Sequence, residues 1–209
     1  MNINSSFRHS SMVFAALVCL SACGVSAEQI DPKALHFLEL SRETQASFAV
    51  ISKVTVAFEG MQKQSFVGGE FHSGDNHRIE DPNHRSIADC KLQTGYRLEV
   101  STMKLLEGQQ AAIGVCGIGH RDGLTSLRLL DVVEYKYGKA QRVEAVDSEF
   151  RRTYDVLPNG AIVRNIWETN TPTASTVYQS EVVAYCEKAL PESFFTKTSI
   201  EKKVLPDVC

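Results

Sequence analysis

The sequence predicts an α+β protein in which one helix precedes a curved antiparallel sheet of roughly eight to ten strands. Three observations favour this fold class. Apolar residues recur with a period of two over most of the chain after residue 46, only the segment before it has helical spacing, and short turns rich in Gly, Pro and Asn separate the runs. Helices and strands do not alternate along the chain, so we do not expect a parallel sheet.

The helix is predicted to begin at Asp31-Pro32 and to extend to about Thr44. Aspartate is a good residue for the cap before a helix, and proline is favoured in the first turn. Leu35 and Leu38 then begin an apolar face with helical spacing. The segment is therefore a short amphipathic helix that needs a partner to cover its apolar side.

The strands follow as short runs between turns. Residues 46–58 have a period of two, which predicts a long half-buried strand ended by Gly60. Residues 63–72 are predicted to pair with residues 77–80. Further strands are predicted at 87–92, 96–105, 111–118, 127–137, 140–146, 154–157, 161–163 and 176–186. The clearest hairpin is the one turned by Pro158-Asn159-Gly160.

Residues 1–22 have the layout of a secretory signal. Arg8 supplies a positive charge, and residues 12–20 are almost wholly apolar but too few for a membrane-spanning helix, which needs roughly 20 residues. Leu20-Ser21-Ala22-Cys23 places an aliphatic residue and two small ones before a cysteine, which is typical of bacterial lipoprotein signals. Residues 25–27, Val-Ser-Ala, fit an ordinary signal peptidase site and are the alternative.

Lipidation at Cys23 makes residues 1–22 the signal peptide, residues 23–30 a short tether and residues 31–209 a single half-barrel domain. We therefore expect an exported, periplasm-facing protein held at a membrane by its lipid anchor. Gly24 follows the cysteine, in place of the aspartate associated with inner-membrane retention in such families. This favours the outer membrane.

Charge and motif content argue against several classes of protein. The formal net charge is −3, so no basic face is predicted and a nucleic-acid partner is not expected. No repeat of fixed period is present. The chain also lacks a Gly-x-Ser-x-Gly elbow, a His-Glu-x-x-His motif and a glycine-rich phosphate loop. Neither a cofactor nor an enzymatic activity is predicted.

Four cysteines follow Cys23: Cys90, Cys116, Cys186 and Cys209. An even number in an exported chain predicts disulfides, and four cysteines allow three pairings. The local pairing, Cys90–Cys116 with Cys186–Cys209, is favoured, and closing each loop stabilises the fold by roughly 3 kcal/mol. A zinc site is the alternative, although no Cys-x-x-Cys pair supports it.

Two polar segments contain side chains capable of chemistry. The first holds histidines and carboxylates that are close in sequence: His72, Asp75, His77, Glu80, Asp81 and His84. Their spacing fits no compact set of metal ligands and indicates a solvated hairpin. The second, residues 116–123, contains Cys116, His120 and Asp122. A bridged cysteine is favoured there over a nucleophile, so no catalytic or metal-binding residue is predicted.

Several short motifs occur in a characteristic order: Arg78-Ile79-Glu80-Asp81-Pro82, Ile87-Ala88-Asp89, Tyr96-Arg97-Leu98-Glu99, Leu157-Pro158-Asn159-Gly160 and Leu190-Pro191-Glu192-Ser193-Phe194-Phe195. With the helix and the long first strand, they resemble the bacterial lipoprotein-carrier and lipoprotein-receptor superfamily, including the similar envelope-stress regulator domains. The resemblance spans most of residues 31–196. It implies an unclosed antiparallel half-barrel, with helices over the concave face and an apolar cavity that accepts acyl chains or another hydrophobic ligand.

The concave face of such a sheet would carry these cavity-lining residues: Phe48, Val50, Val54, Val56, Phe58, Phe66 and Trp167. The alternative is that these side chains form a filled core. Three functions therefore remain open. The favoured function is binding of a lipid or of the acyl chains of a lipoprotein. The second is protein–protein interaction or stress regulation in the envelope on the same scaffold. The third is enzymatic catalysis.

Overall fold

The computed structural model describes residues 29–43, 45–57, 60, 62–116, 123–173 and 175–203. These residues form strands, two α-helices and two short 3₁₀ helices. The strands are β1 Gln29–Ile30, β2 Ser47–Val56, β3 Gln64–Ser73, β4 Asn76–Glu80, β5 His84–Asp89, β6 Thr94–Glu99, β7 Lys104–Glu107, β8 Ser126–Tyr135, β9 Gly138–Val146, β10 Phe150–Val156, β11 Ile162–Thr169 and β12 Thr176–Cys186. The helices are α1 Pro32–Glu43 and α2 Gln109–Cys116, and the 3₁₀ helices are Glu192–Phe195 and Lys197–Ser199.

All the strands of the described residues belong to one 12-stranded sheet, in the order β1-β8-β9-β10-β11-β12-β2-β3-β4-β5-β6-β7. Neighbouring strands are antiparallel except β1 and β8, which are parallel. The edge strands β1 and β7 do not pair with each other, so the sheet is an unclosed half-barrel. This confirms the predicted fold class, although the sheet has more strands than predicted and one parallel pair.

Helix α1 forms as the sequence predicts. The Asp31 carboxylate accepts a hydrogen bond from the backbone N–H of Lys33 at 2.8 Å, and the N–H of Leu35 donates to the Asp31 carbonyl at 2.9 Å. Asp31 therefore caps the first turn. The buried apolar residues of the helix, Ala34 and Leu38, pack on side chains from β8, β9 and β10, so α1 covers one end of the concave face.

Helix α2 replaces a strand that the sequence predicts at residues 111–118, and that prediction is wrong. The run is short and apolar, and periodicity alone does not separate a buried strand from a buried helix of this length. Its two adjacent alanines, Ala111 and Ala112, favour a helix. Ala112 and Val115 pack against Ala88 of β5, so α2 covers the other end of the concave face, over β4 to β6.

The strand predicted at residues 96–105 is also wrong, because a turn divides it into β6 and β7. The Thr102 hydroxyl donates to the Glu99 carboxylate at 2.7 Å, and Met103 has a positive φ of 57°. This local hydrogen bond offers the backbone a turn instead of a continued ladder. The division adds one strand to the predicted number, and the two-residue β1 adds another.

A segment near the end of the described chain, residues 190–202, lies across the convex face of β2 to β6, and we call it the C-terminal strap. Leu190 packs with Ala49, Ile51 and Phe71, while Ile200 packs against β5 and β6. The first half of β2 is therefore covered on both faces. The half-buried pattern predicted for β2 holds only in its second half, where Lys53 is exposed.

Arg78 fixes the C-terminal strap to the sheet, although its side chain is fully buried. Its guanidinium donates to the backbone carbonyls of Phe194 and Lys202, both at 2.6 Å, and to the Ser199 hydroxyl at 3.0 Å. The carboxylate of Glu80 pairs with the same guanidinium. One buried cation thus satisfies carbonyl groups that the short 3₁₀ helices leave free.

The other half of the convex face carries a row of alternating charges across five neighbouring strands. The residues paired in register along this row are Arg142, Asp155, Arg164, Glu181 and Lys53. Asp155 is fully buried, and Arg142 Nε donates to its carboxylate at 2.6 Å, which raises the pKa of Arg142. Cross-strand ion pairs of this kind stabilise a sheet face that no helix covers.

Candidate functional site

A hollow of about 130 Å³ lies on the concave face in the gap between α1 and α2. Strands β2, β3, β4, β11 and β12 form its walls. Its lining residues are Val50, Ser52, Val54, Phe66, Gly68, Gly69, Glu70, Ile79, Glu80, Asp81, Ile162, Asn165, Tyr178 and Ser180. The two helices cover the ends of the sheet and leave its middle strands open, so this hollow is the candidate binding site.

Three of the residues predicted to line a cavity lie around the hollow: Val50, Val54 and Phe66. They come from β2 and β3, which pair so that Val54 and Phe66 are register partners. Gly68 lies two residues after Phe66 in β3. A Cβ added to Gly68 would meet the Glu80 carbonyl of the neighbouring strand β4 at 3.1 Å. Val50 and Val54 of β2 and Phe66 of β3 thus lie in one wall of the hollow, and their part in ligand binding stays a prediction.

Three other predicted cavity residues, Phe48, Val56 and Trp167, do not line the hollow. Phe48 is fully buried and stacks on the His72 ring, with a centroid distance of 4.4 Å, so it belongs to the packed core. Val56 is half-buried at the end of β2. Trp167 lies on the concave face beside Tyr178, with the ring centroids 5.0 Å apart. Phe58 lies outside the described residues.

Sequence reasoning missed the polar wall of the hollow. Ser52 lies between Val50 and Val54 in β2, and Asn165, Tyr178 and Ser180 line the hollow from β11 and β12. Burial, helped by the nearby Glu70 carboxylate, raises the pKa of the Tyr178 hydroxyl to about 12, so the hydroxyl stays protonated and can donate a hydrogen bond. The interruption of the apolar alternation by Ser52 was the one sequence signal of this wall.

The histidines of β3 and β4 do not form the solvated hairpin that the sequence indicates. His72 is 5% exposed and His77 is 1% exposed, and their rings lie 3.9 Å apart. Burial, with His72 adding to it, lowers the pKa of His77 to about 3. In the described part of the chain, no three His, Cys, Asp or Glu side chains are placed to hold a metal ion.

The structure contains the Cys90–Cys116 disulfide, which joins the end of β5 to the end of α2. Cys186 is also disulfide-bonded. Its predicted partner Cys209 lies outside the described residues, so that pairing stays a prediction. Since Cys116 is oxidised, it has no thiolate to serve as a nucleophile, and residues 117–122 of the candidate bend lie outside the described residues.

These features define the class of fold. The protein is an unclosed, mostly antiparallel half-barrel with a helix over each end of its concave face and a hollow between the helices, which is the fold that the sequence resemblance implies. Within the described residues, neither helix is long and apolar enough to cross a membrane.

Solved structures share this fold at low sequence identity. MucB, an envelope-stress regulator, is similar with a TM-score of 0.51 and 11% identity, and the match covers 79% of this chain but only 63% of the MucB chain. An uncharacterized conserved protein from Thermus thermophilus is similar with a TM-score of 0.53 and 12% identity, covering 78% of this chain and 92% of that one.

A LolA superfamily protein from Nitrosomonas europaea also matches, with a TM-score of 0.40, 13% identity and coverage of 79% of this chain and 98% of that chain. No protein-family model matches the sequence, and no curated protein matches it significantly. The likenesses to MucB and to the Thermus thermophilus protein therefore concern the fold alone.

Proposed function

We propose that this protein is an envelope protein that binds a hydrophobic ligand, such as a lipid or the acyl chain of a lipoprotein, in the hollow on its concave face. The observation that carries the proposal is the hollow itself, whose lining includes the apolar side chains of Val50, Val54, Phe66 and Ile79. Side chains of this kind gain roughly 25 cal/mol for each Å² that a ligand removes from water. The likeness of the fold to MucB supports an envelope function.

The size of the hollow sets how such a ligand would fit. At about 130 Å³ the hollow is similar to a protein cavity that accepts benzene, so it holds a short piece of a hydrocarbon chain. A longer chain requires one of the helices to move. The Cys90–Cys116 disulfide ties α2 to β5, whereas α1 is held by apolar packing, so α1 is the helix expected to move.

Titration with a fluorescent fatty-acid probe tests this function on two matched variants. Phe66 lines the hollow, and its neighbour Val67 points to the opposite face and is 47% exposed. We expect Phe66→Ser to weaken probe binding by tenfold or more and Val67→Ser to leave it unchanged. The proposal fails if the native protein shows no saturable binding, or if both variants bind the probe as the native protein does.

The small volume of the hollow favours a second candidate, an interaction or stress-regulatory module on the same scaffold. MucB has also been crystallised in complex with MucA(peri). A protein whose concave face serves only as a rigid platform needs no ligand space. Absence of probe binding, with the fold intact by circular dichroism, would favour this second function over the first.

We also propose that the chain is exported and anchored through a lipid on Cys23, facing the periplasm from the outer membrane. Residues 1–28 lie outside the described residues, so the support is the Leu20-Ser21-Ala22-Cys23 motif together with the Cys90–Cys116 disulfide, which is typical of oxidising compartments. Intact mass and membrane fractionation of the native protein and of Cys23→Ala test the anchor. If both fractionate as unmodified soluble chains, the anchor is disproved.

A further inference from the structure

The Cys90–Cys116 disulfide lies beside a buried histidine. Nδ1 of His77 is 3.3 Å from the Cys90 sulfur. His77 is on β4, and its register partner on β5 is Ala88, two residues before Cys90. The pairing of the two strands therefore places the imidazole ring against the sulfur. Because His77 is only 1% exposed, water competes little for this contact.

The hydrogen bonds of the His77 ring determine what it offers to the sulfur. Its Nε2 has no hydrogen-bond partner among the described residues, whereas the Gly74 carbonyl hydrogen-bonds to the ring. A carbonyl only accepts, so the ring proton is assigned to Nδ1, the nitrogen that faces Cys90. Burial lowers the pKa of His77 to about 3, which keeps the ring neutral. His77 is therefore a neutral N–H donor, able to bind a thiolate without becoming a buried cation.

The two sulfurs of the disulfide differ in access to solvent. Cys90 is half-buried and lines an open cleft of about 410 Å³ between the end of α1 and the β3–β4 turn, whereas Cys116 is 9% exposed and packs in the cluster of Ala88 and Ala112. The other residues of the cleft are Arg42, Glu43, Gln45, Asp75 and Lys91. Its cations and carboxylates balance, so the cleft does not repel an approaching thiolate. Access therefore favours attack on Cys90.

We propose that Cys90–Cys116 is an exchangeable disulfide, that a dithiol reduces it by attack on Cys90, and that His77 stabilises the Cys90 thiolate. First, a thiolate of the dithiol bonds to the Cys90 sulfur, the Cys90–Cys116 bond breaks, and Cys116 leaves as a thiolate that takes a proton from water. The second thiol of the dithiol then loses its proton to water and bonds to the first dithiol sulfur, and Cys90 leaves as a thiolate beside His77 Nδ1. Two electrons pass to the two cysteines, and the dithiol becomes a disulfide.

Reduction would separate the end of α2 from the end of β5. The helix would then be held by apolar packing, with Ala112 and Val115 against Ala88. Because α2 covers one end of the concave face, the redox state of the two cysteines controls how firmly that cover is held. The reaction needs no ligand in the hollow, so it is independent of the proposed function.

Reduction of the native protein by dithiothreitol tests whether the disulfide exchanges in the folded state. We expect the bond to open at a rate proportional to the dithiothreitol concentration, while circular dichroism shows an intact fold. A rate that reaches a plateau equal to the rate of unfolding in urea, extrapolated to water, would mean that the sulfurs react only after unfolding. That result would overturn the proposal.

Two single-cysteine variants identify the reactive sulfur. Cys116→Ser leaves Cys90 as a free thiol, and Cys90→Ser leaves Cys116. With glutathione disulfide at pH 7, we expect the mixed disulfide to form on Cys90 at least tenfold faster than on Cys116, as measured by peptide mass spectrometry. Equal rates, or faster reaction of Cys116, would contradict attack on Cys90.

The role of His77 is tested by alkylation of Cys90 with iodoacetamide in the Cys116→Ser protein. His77→Phe keeps a buried ring and removes the N–H donor, so at pH 7 we expect alkylation to slow about tenfold, because less of the thiol is ionised. At pH 10 the difference should vanish, since both thiols are then ionised. His72→Phe, which alters the neighbouring buried ring, is the control and should react like the parent protein. Equal rates at pH 7, a difference that persists at pH 10, or an equal loss in His72→Phe would refute this role.

Discussion

Lowering the pH from 7 to 5 should destabilise the folded protein through His77. The side chain is 1% exposed, and burial beside His72 lowers its pKa from 6.5 to about 3. The unfolded chain therefore binds a proton on this imidazole in a pH range where the folded protein does not. Stability must then fall as the pH falls through that range.

The size of the effect follows from the two pKa values. The contribution of neutral His77 to the free energy of unfolding is fully present above pH 6.5, the pKa of this side chain in the unfolded protein. It is lost as the pH falls towards 3, the pKa in the folded protein. The steepest loss is about 1.4 kcal/mol for each pH unit. Between pH 7 and pH 5, we expect His77 to remove about 2 kcal/mol from the free energy of unfolding.

Urea unfolding at both pH values, in the native protein and in His77→Gln, measures this contribution. The variant should be less stable at pH 7, because glutamine does not reproduce the contact between the His77 and His72 rings, but its stability should change by about 2 kcal/mol less between the two pH values. His36→Gln, at an exposed position of α1, is the control and should behave like the native protein. A variant at position 77 that keeps the full pH dependence would refute the assignment to His77.

Three further predictions concern the elements that hold the concave and convex faces. Arg78→Met should lower the free energy of unfolding by about 3–5 kcal/mol, because it removes the cation that pairs with the buried Glu80 carboxylate and that binds the Phe194 and Lys202 carbonyls; native stability in urea would contradict this. Replacing Cys90 and Cys116 by serine should cost roughly 3 kcal/mol and speed amide hydrogen exchange in α2 more than in α1; equal exchange would show that the disulfide does not restrain α2. Leu38→Ala should cost about 2–5 kcal/mol by calorimetry, and a smaller loss would mean that α1 is not packed as described.

Local sequence signals were sufficient for α1, most strands and the apolar alternation of β2. Asp31 and Pro32 act within one helical turn, and the alternation that places Val50 and Val54 on one face depends only on the pleat of β2. The tight turn at residues 158–160 likewise needs only its own residues. Such features are predictable because their causes lie within a few positions of one another.

The features that the sequence did not predict depend on distant partners. Arg78 is buried because residues 194–202 supply acceptors more than a hundred positions away. Phe48 leaves the hollow because His72 stacks on it from the neighbouring strand. Helix α2 takes its conformation from packing on β5 as well as from its own alanines. No periodicity within a single segment contains this information.

The C-terminal strap is synthesised after the strands that it covers. A ribosome delivers β2 to β6 early and residues 190–202 late, and β12, the neighbour of β2, also arrives late. Until then, Ala49, Ile51 and Phe71 stay open to water and to other nascent chains. A product that stops short of Leu190 would leave this apolar face of β2 and β3 exposed, so the C-terminal strap protects strands synthesised earlier from aggregation and proteolysis.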